Sequence, residues 1–428
     1  MIGNKIHDLA KKLWPINRSI AGEENRKTLK ILKKINKKLK IIEYKSNEKV
    51  FDWTIPKEWK VKEAWIKDIN NKKIIDFKDN NLHLVNYSQP INKKISLKNL
   101  KDKIYTLKKK PKAIPYVTSY YEKNWGFCLD YNSFKKLKDD HYFVKIDSKF
   151  TSGSMSIGEI LIRGKSKKEI LITTYICHPS LANNELSGPC LSIFLSNWIL
   201  KKKRKYTYRF IFAPETIGAI SYINKNFDKL KENVIAGLIV TCVGDNKDFS
   251  FLPSRSGDGI LDKIIQNVLQ RKKIKYKKFN WLKRGSDERQ YCWPNTNISM
   301  SSLMRSKYHE YPEYHTSLDD LKKVVTPSGF EGSFALYTDV ITSLEKKNFP
   351  LSTTFCEPML SKLNLYPKIG YYGSKNKLKL KSKIILNILS FCDGKNTIEE
   401  ISSRCEIDFK LCKKTLQFLE KKKLVKMF

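Results

Sequence analysis

Between residues 136 and 350 short apolar runs alternate with longer stretches of helical periodicity. EILITTY (169–175), TYRFIFA (207–213) and VIAGLIVTC (234–242) are short, apolar and β-branched. Such runs predict strands buried on both faces. Asn297–Met300 predicts a fourth. Helical spacing fills the intervals at about 187–202, 216–230, 258–271 and 327–346. The last of these opens with Thr326 at the N-cap position and Pro327 at N1, both suited to a helix start. Strands alternating with helices predict an α/β layer sandwich with a mostly parallel central sheet.

The flanking segments differ. Residues 1–46 predict helices: LAKKLWPI, a break at Asn17–Glu23, and an amphipathic run from Glu24 to Lys40. In 47–135, Trp53, Trp59, Trp65 and Trp125 punctuate short alternating runs such as KEAWIKDI, and Pro56, Pro90, Pro111 and Pro115 interrupt them. That pattern predicts a small β-rich inserted module. Residues 366–428 carry three helical patterns, Leu378–Phe391, Thr397–Cys405 and Asp408–Lys422, and end in the apolar LVKMF. A helical trio closed by a short strand resembles a winged helix-turn-helix domain.

At 428 residues the chain can hold two or three domains, and 41% apolar content allows a large core. No run reaches the roughly 20 unbroken apolar residues of a membrane span. The charged N-terminus lacks the layout of a signal peptide. Nine cysteines stand singly, without CxxC, as reduced thiols do. The expectation is a cytoplasmic protein, with a homo-oligomer left open. The formal charge of +40 comes mainly from Lys spread along the whole chain, which predicts a solvated surface. Nucleic acid is not the expected partner: Lys410, Lys413, Lys414, Lys421, Lys422 and Lys423 near the C-terminus offer no Arg to read guanine edges.

Chemistry concentrates at the strand ends. His178, one of only six histidines, follows EILITTY; Glu215 follows TYRFIFA; Asp245 follows VIAGLIVTC; His315 follows the last strand. In parallel sheets the carboxyl ends of the strands carry the site, so these four converge on one rim. Each alone would be a loop residue with a local hydrogen bond. Together they offer what a catalytic zinc takes: imidazole nitrogen, carboxylate oxygen and a spare carboxylate as base. In GSDERQY (285–291), Arg289 and Tyr291 could orient a substrate carboxylate or oxyanion, or Asp287 and Arg289 could form a loop ion pair. The Ser254–Gly259 turn would bind an anion or simply cap the next helix. Cys177 adjoins His178, but neighbours in a strand face opposite ways, which argues against a Cys–His nucleophile.

The succession HPSLANNELSG, APETIGAI, TCVGD, GSDERQY and EYHTSLDD resembles the zinc aminopeptidase superfamily of two-metal exopeptidases. More closely, it is similar to the aminopeptidase-like family encoded in bacterial surface-polysaccharide gene clusters, whose N-terminal signature LWPINRSIAGEENRKTL (13–29) matches. The resemblance implies a three-layer α/β/α zinc-exopeptidase-like core at 136–350 with its N-terminal part at 1–46. It also implies an inserted β-rich domain at 47–135 and a winged helix at 366–428. It places His178 and His315 as metal ligands, Asp245 as a further ligand and Glu215 as the general base. Asn184 stands where a bridging Asp is usual, with Glu185 next to it, and Thr216 stands where a ligand carboxylate is usual. The implied site holds one zinc through His178, His315 and a carboxylate from Glu185 or Asp245. Asn184, Asp287, Arg289 and Tyr291 would face the substrate, a peptide or small amide. Two rivals stand beside this: a deacylase acting on a surface-polysaccharide precursor, and a metal-binding regulatory protein using its winged helix as an interaction module.

Overall fold

The apolar runs pair into one eight-stranded sheet. Its order is Lys40–Lys45, Ser154–Ile162, Thr207–Ala213, Glu169–Tyr175, Val234–Ile239, Met300–Met304, Phe249–Leu252, Tyr276–Lys278. The computed structural model describes residues 1–138, 140–366 and 377–428 and divides into two units, Met1–Ile341 and Thr342–Phe428. From Thr207–Ala213 to Met300–Met304, the four central strands run parallel. Every residue of Glu169–Tyr175 and Thr207–Ala213 is buried. That explains why these strands read as unbroken apolar runs rather than alternating ones. Two antiparallel pairs finish one edge; at the other, Phe249–Leu252 runs antiparallel to Met300–Met304 and parallel to the edge strand Tyr276–Lys278.

The helices Ser187–Leu200, Ile217–Asn233, Ile260–Arg271 and Pro327–Glu345 fall where the periodicity predicts them. The Thr326 hydroxyl accepts the Gly329 N–H at 3.0 Å, as an N-cap should. Two boundaries differ from expectation. The second N-terminal helix, Glu23–Ile35, stops short of Lys40, and Lys40–Lys45 is a sheet-edge strand paired with Ser154–Ile162. Asn36 turns extended there, and the alternating KIIEYK gains more from a ladder than from another helical turn. The fourth predicted strand begins at Met300 because Asn297 sits in a left-handed turn at φ 46°.

The inserted region forms a four-stranded antiparallel sheet, ordered Lys73–Asp76, Glu58–Lys67, His141–Thr151, Ile91–Ser96. One of its strands, His141–Thr151, lies beyond residue 135. A separate stretch of the insert is stapled to the loop that carries His315. Tyr116 N–H donates to the His315 carbonyl at 2.9 Å, Ser317 N–H to the Ile114 carbonyl at 2.9 Å, and Ile114 N–H to the Ser317 hydroxyl at 3.0 Å.

The second unit holds helices Lys377–Ser390, Ile398–Arg404 and Phe409–Lys421 and a ribbon pairing Pro350–Ser352 with Val425–Met427. Ile388, Ile401, Leu416 and Leu419 form its core. Among the described residues no helix is long and apolar enough to cross a membrane.

Gly188 opens the helix Ser187–Leu200 against the sheet. A Cβ there would come 2.3 Å from the Val240 carbonyl and 2.4 Å from the Thr174 hydroxyl. The backbone oxygen cannot yield cheaply, so Gly188→Ala is expected to cost about 1–3 kcal/mol or more through overpacking. Urea denaturation of the two proteins measures it; equal midpoints would contradict the packing described.

Candidate active site

Arg18 and Glu185 are both completely buried, and their ion pair organises one side of the site. The Arg18 guanidinium donates through Nε to Glu185 Oε1 at 3.0 Å, through Nη1 to the Leu13 carbonyl at 2.7 Å and through Nη2 to the His178 carbonyl at 2.8 Å. The other carboxylate oxygen, Oε2, accepts the His178 N–H at 2.7 Å and the Cys177 N–H, and lies 3.1 Å from His178 Nδ1. A carboxylate at Nδ1 fixes the proton on that nitrogen and leaves the Nε2 lone pair free. His178 Nε2 lies 3.7 Å from Glu215 Oε2. Glu185 reaches inward because Ala182–Leu186 forms a single wide helical turn in which Asn184 departs from helical geometry (φ −110°, ψ 88°). Such turns are frequent at functional sites.

Glu215 is aimed by backbone strain. The next residue, Thr216, has φ 63° and ψ −80°, and Ile217 N–H bonds back to the Glu215 carbonyl at 2.8 Å. This is the rare γ-turn with positive φ, a costly conformation for a β-branched residue. It is clamped by three bonds. Thr216 N–H donates to Asp287 Oδ1 at 2.7 Å, Arg289 Nη2 donates to the Thr216 hydroxyl at 3.1 Å, and Glu215 N–H meets Cys177 Sγ at 3.2 Å. Arg289 also stands 3.9 Å from Glu215 Oε1. Burial raises the Glu215 carboxyl above the usual range, opposed by His178 and Arg289. Burial, and then the nearby Glu215, push Asp287 well up.

His315 completes the set. Its backbone is left-handed at φ 53°, and its ring stacks on Tyr314 with centroids 3.9 Å apart. The His178 ring lies 5.4 Å away, centroid to centroid. His315 Nε2 is buried and has no hydrogen-bond partner among the described residues. Burial first, then His178 and His309, bring its pKa down to about 2, so the imidazole is neutral. Trp53, Tyr116, Tyr120, His178, Glu215 and His315 line a cavity of about 330 Å³. The aromatic walls come from the inserted region, the reactive groups from the strand ends.

Other residues singled out in the sequence take different places. Asp245 accepts from Asn183 Nδ2 at 2.7 Å and from the N–H groups of Ser306 and Lys247 at 2.9 Å each, so it holds loops together rather than facing the cavity. Asn184 Oδ1 accepts the Tyr175 hydroxyl. Tyr291 has no exposed surface and cannot touch a substrate. Asp287 and Arg289 do not pair in isolation but hold the Glu215 turn. In the Ser254–Gly259 turn, Asp262 fills the anion position, accepting from Ser254 N–H at 2.8 Å and Gly259 N–H at 2.9 Å. Cys177, His178 and Glu185 bring their ligand atoms close together, but Glu185 is spent on Arg18 and two backbone N–H groups, and burial pushes the Cys177 thiol well up. Among the described residues that line this cavity, the donors left for a metal are His178 Nε2, His315 Nε2 and Glu215.

Sequence reasoning missed Arg18, Tyr116, Tyr120 and Asp319. Asp319 accepts the Asn183 and Asn184 N–H groups at 2.7 and 3.0 Å and so holds the Ala182–Leu186 turn. Arg18 had a signal: an Arg inside the Asn17–Glu23 break, in a chain whose 83 basic residues are mostly Lys.

Residues 7–347 match the family model described as Domain of unknown function (DUF4910), and residues 348–427 match a winged helix-turn-helix model. The chain belongs to the DUF4910 family. A Clostridium acetobutylicum relative, provisionally named a polysaccharide biosynthesis protein with aminopeptidase-like domain, is 41% identical over 426 residues, covering 99% of this chain and 96% of its own. A crystal structure of a provisionally assigned peptidase from Clostridium acetobutylicum is 40% identical, with a TM-score of 0.80 over 100% of this chain and 97% of that one. The zinc aminopeptidase BSAP from Bacillus subtilis superposes with a TM-score of 0.58 at 12% identity, over 79% of this chain and 93% of its own. That level of identity speaks to fold alone. The core of this DUF4910 chain is therefore built like a zinc aminopeptidase and ends in a winged helix, as the motifs led us to expect.

Removing one member of a buried ion pair strands the other charge, at a cost of about 3–5 kcal/mol. Arg18→Met should lose about that much stability in urea denaturation, and Arg18→Met combined with Glu185→Leu should recover most of it. If the single variant melts like the parent, the ion pair does not carry the weight assigned to it.

Proposed function

We propose that this chain is a zinc-dependent amide hydrolase of the aminopeptidase type, working with one metal ion. The observation that carries the proposal is that two imidazoles and a carboxylate, His178, His315 and Glu215, line one cavity, although their ligand atoms do not all lie within 4.8 Å of one another. His178 Nε2 is left free by the carboxylate at its Nδ1, and His315 Nε2 is buried without a partner. Both fit a metal that takes neutral imidazole. Around a tetrahedral zinc, donor atoms stand roughly 3.4 Å apart, close to the 3.7 Å between His178 Nε2 and Glu215 Oε2. Glu185 and Asp245, the two carboxylates expected from the sequence, are engaged elsewhere. His178, His315 and Glu215 Oε2 would therefore hold the ion.

Zinc bound there supplies a Lewis acid for the amide carbonyl and lowers the pKa of water. The chain does the rest. Glu215 would take the water's proton at Oε1, the oxygen not assigned to the ion, and deliver it to the departing amine. Arg289, 3.9 Å from Glu215 Oε1 and bonded to the Thr216 hydroxyl, places a fixed positive charge beside that carboxylate. Tyr116, Tyr120 and Trp53 exclude bulk water. The substrate is an amide next to a free amine; the Clostridium acetobutylicum relative's name brings an amide of a polysaccharide precursor within the same reading.

Metal analysis of zinc-replete protein is expected to give about one zinc per chain, lost in both His178→Ala and His315→Ala. Glu215→Gln should lower hydrolysis of aminoacyl amides by about 10²–10⁴-fold. A wild-type protein that takes up no zinc would overturn the proposal.

A further inference from the structure

A second cavity, of about 540 Å³, adjoins the first across Trp53, whose side chain lines both. Trp53 is fixed by an edge-on contact with Tyr121, centroids 5.6 Å apart. Ile220, Ile223 and Phe227 form one wall of this space. They belong to the helix Ile217–Asn233, which starts at the strained Glu215 turn. Trp293, which follows the Asp287–Arg289 clamp, and Phe51 flank the opening. The two cavities are thus built on the same short elements.

Two features define what fits. First, Phe51 and Trp293 are large aromatics left 56% and 58% exposed at the mouth of a cavity. Exposed aromatic surface around a concavity marks a recognition site. Second, the polar lining consists of Asp52, Gln290, Asn295 and Thr296. Asp52 is the only charged residue among the lining residues, although the chain carries a formal charge of +40. A phosphate or carboxylate placed there would face a carboxylate and no cation. A purely apolar side chain would use the aliphatic wall and desolvate Asp52, Gln290 and Asn295 without pairing them. A neutral pyranose satisfies both halves: its C–H face packs on an aromatic ring, and its hydroxyls and N-acyl groups pair with carboxylate and amide side chains.

We propose that this cavity is a subsite for neutral sugar residues, so that the amide reached by Glu215 belongs to a glycan-linked substrate. The inference rests on the reading of the His178–Glu215–His315 site given above. Trp293 and Phe51 are the stacking platforms. Asn295, Gln290 and Asp52 read the hydroxyl edge. Trp53 separates the sugar from the reacting amide.

Calorimetric titration of full-length Glu215→Gln protein with N-acetylchitotriose tests it, because binding is then read without turnover. Saturable binding with a Kd of about 1 mM or tighter is expected, weakened about tenfold or more by Trp293→Ala. The exposed Trp293 ring can be removed without opening the core, and an unchanged thermal melt confirms that. Asn295→Ala should also weaken the sugar. A hyaluronan tetrasaccharide, which carries uronates, and trileucine should bind more weakly than chitotriose. No saturable binding of chitotriose, equal binding by Trp293→Ala, or a preference for hyaluronan or trileucine would each overturn the subsite. A protein that binds the sugar but no zinc would refute the hydrolase reading and leave the subsite standing.

Discussion

One buried ion pair sets the geometry of half the site. Neither Arg18 nor Glu185 touches water, and burying two charges is tolerable only when every donor and acceptor is matched. Here each side-chain nitrogen and oxygen has a partner: Arg18 donates to Glu185 and two carbonyls, and Glu185 collects Arg18, two backbone N–H groups and His178 Nδ1. The pair therefore cannot shift without stranding a charge. His178 inherits that rigidity, in both its backbone and its tautomer. A contact 167 residues long in sequence thus decides which nitrogen of one imidazole is presented to the cavity.

The other half of the site is held by strain rather than by charge. Thr216 at φ 63° and His315 at φ 53° are non-glycine residues in a region that L-residues avoid. Such positions persist only where the surroundings over-determine them. Asp287 and Arg289 do so for the Glu215 turn; Ile114 and Tyr116 do so for the His315 loop. The second clamp gives the inserted region a purpose beyond covering the sheet. It supplies both the aromatic walls of the cavity and the bonds that hold one of the two histidines.

Legibility in the sequence follows from this division. The strands Glu169–Tyr175 and Thr207–Ala213 were readable to the residue because full burial on both faces makes them mostly apolar, their one Glu and one Arg being paired with each other. His178, Glu215 and His315 were readable because a parallel sheet delivers its carboxyl ends to one rim. Direction was not readable. Glu185 next to Asn184, and Asp245 after its strand, offer the same carboxylate on paper. Only the wide turn at Ala182–Leu186 and the side chains of Asn183 and Ser306 decide where each one points. Arg18 escaped for the same reason: its partner is local in space and remote in sequence. Tyr291 shared a motif with Asp287 and Arg289, yet it lies one turn further along the short helix than Asp287, and its side chain goes to the core.

The number of metal ions is an electrostatic question. Two divalent cations a few ångströms apart need bridging negative charge to offset their repulsion. Asn184 and Thr216 are neutral and bring no such charge, and the Thr216 hydroxyl is occupied by the Arg289 guanidinium. The Asp245 carboxylate is engaged by Asn183, Ser306 and Lys247. In the cavity that both imidazoles line, Glu215 supplies the carboxylate, with the Arg289 guanidinium beside it and the buried Asp287, whose Oδ2 has no partner among the described residues, close by. On the function proposed above, that charge balance favours one ion over two. On the same reading Arg289 is a fixed positive charge beside Glu215 that needs no bridging ligand, cannot dissociate, and steadies the strained turn at Thr216.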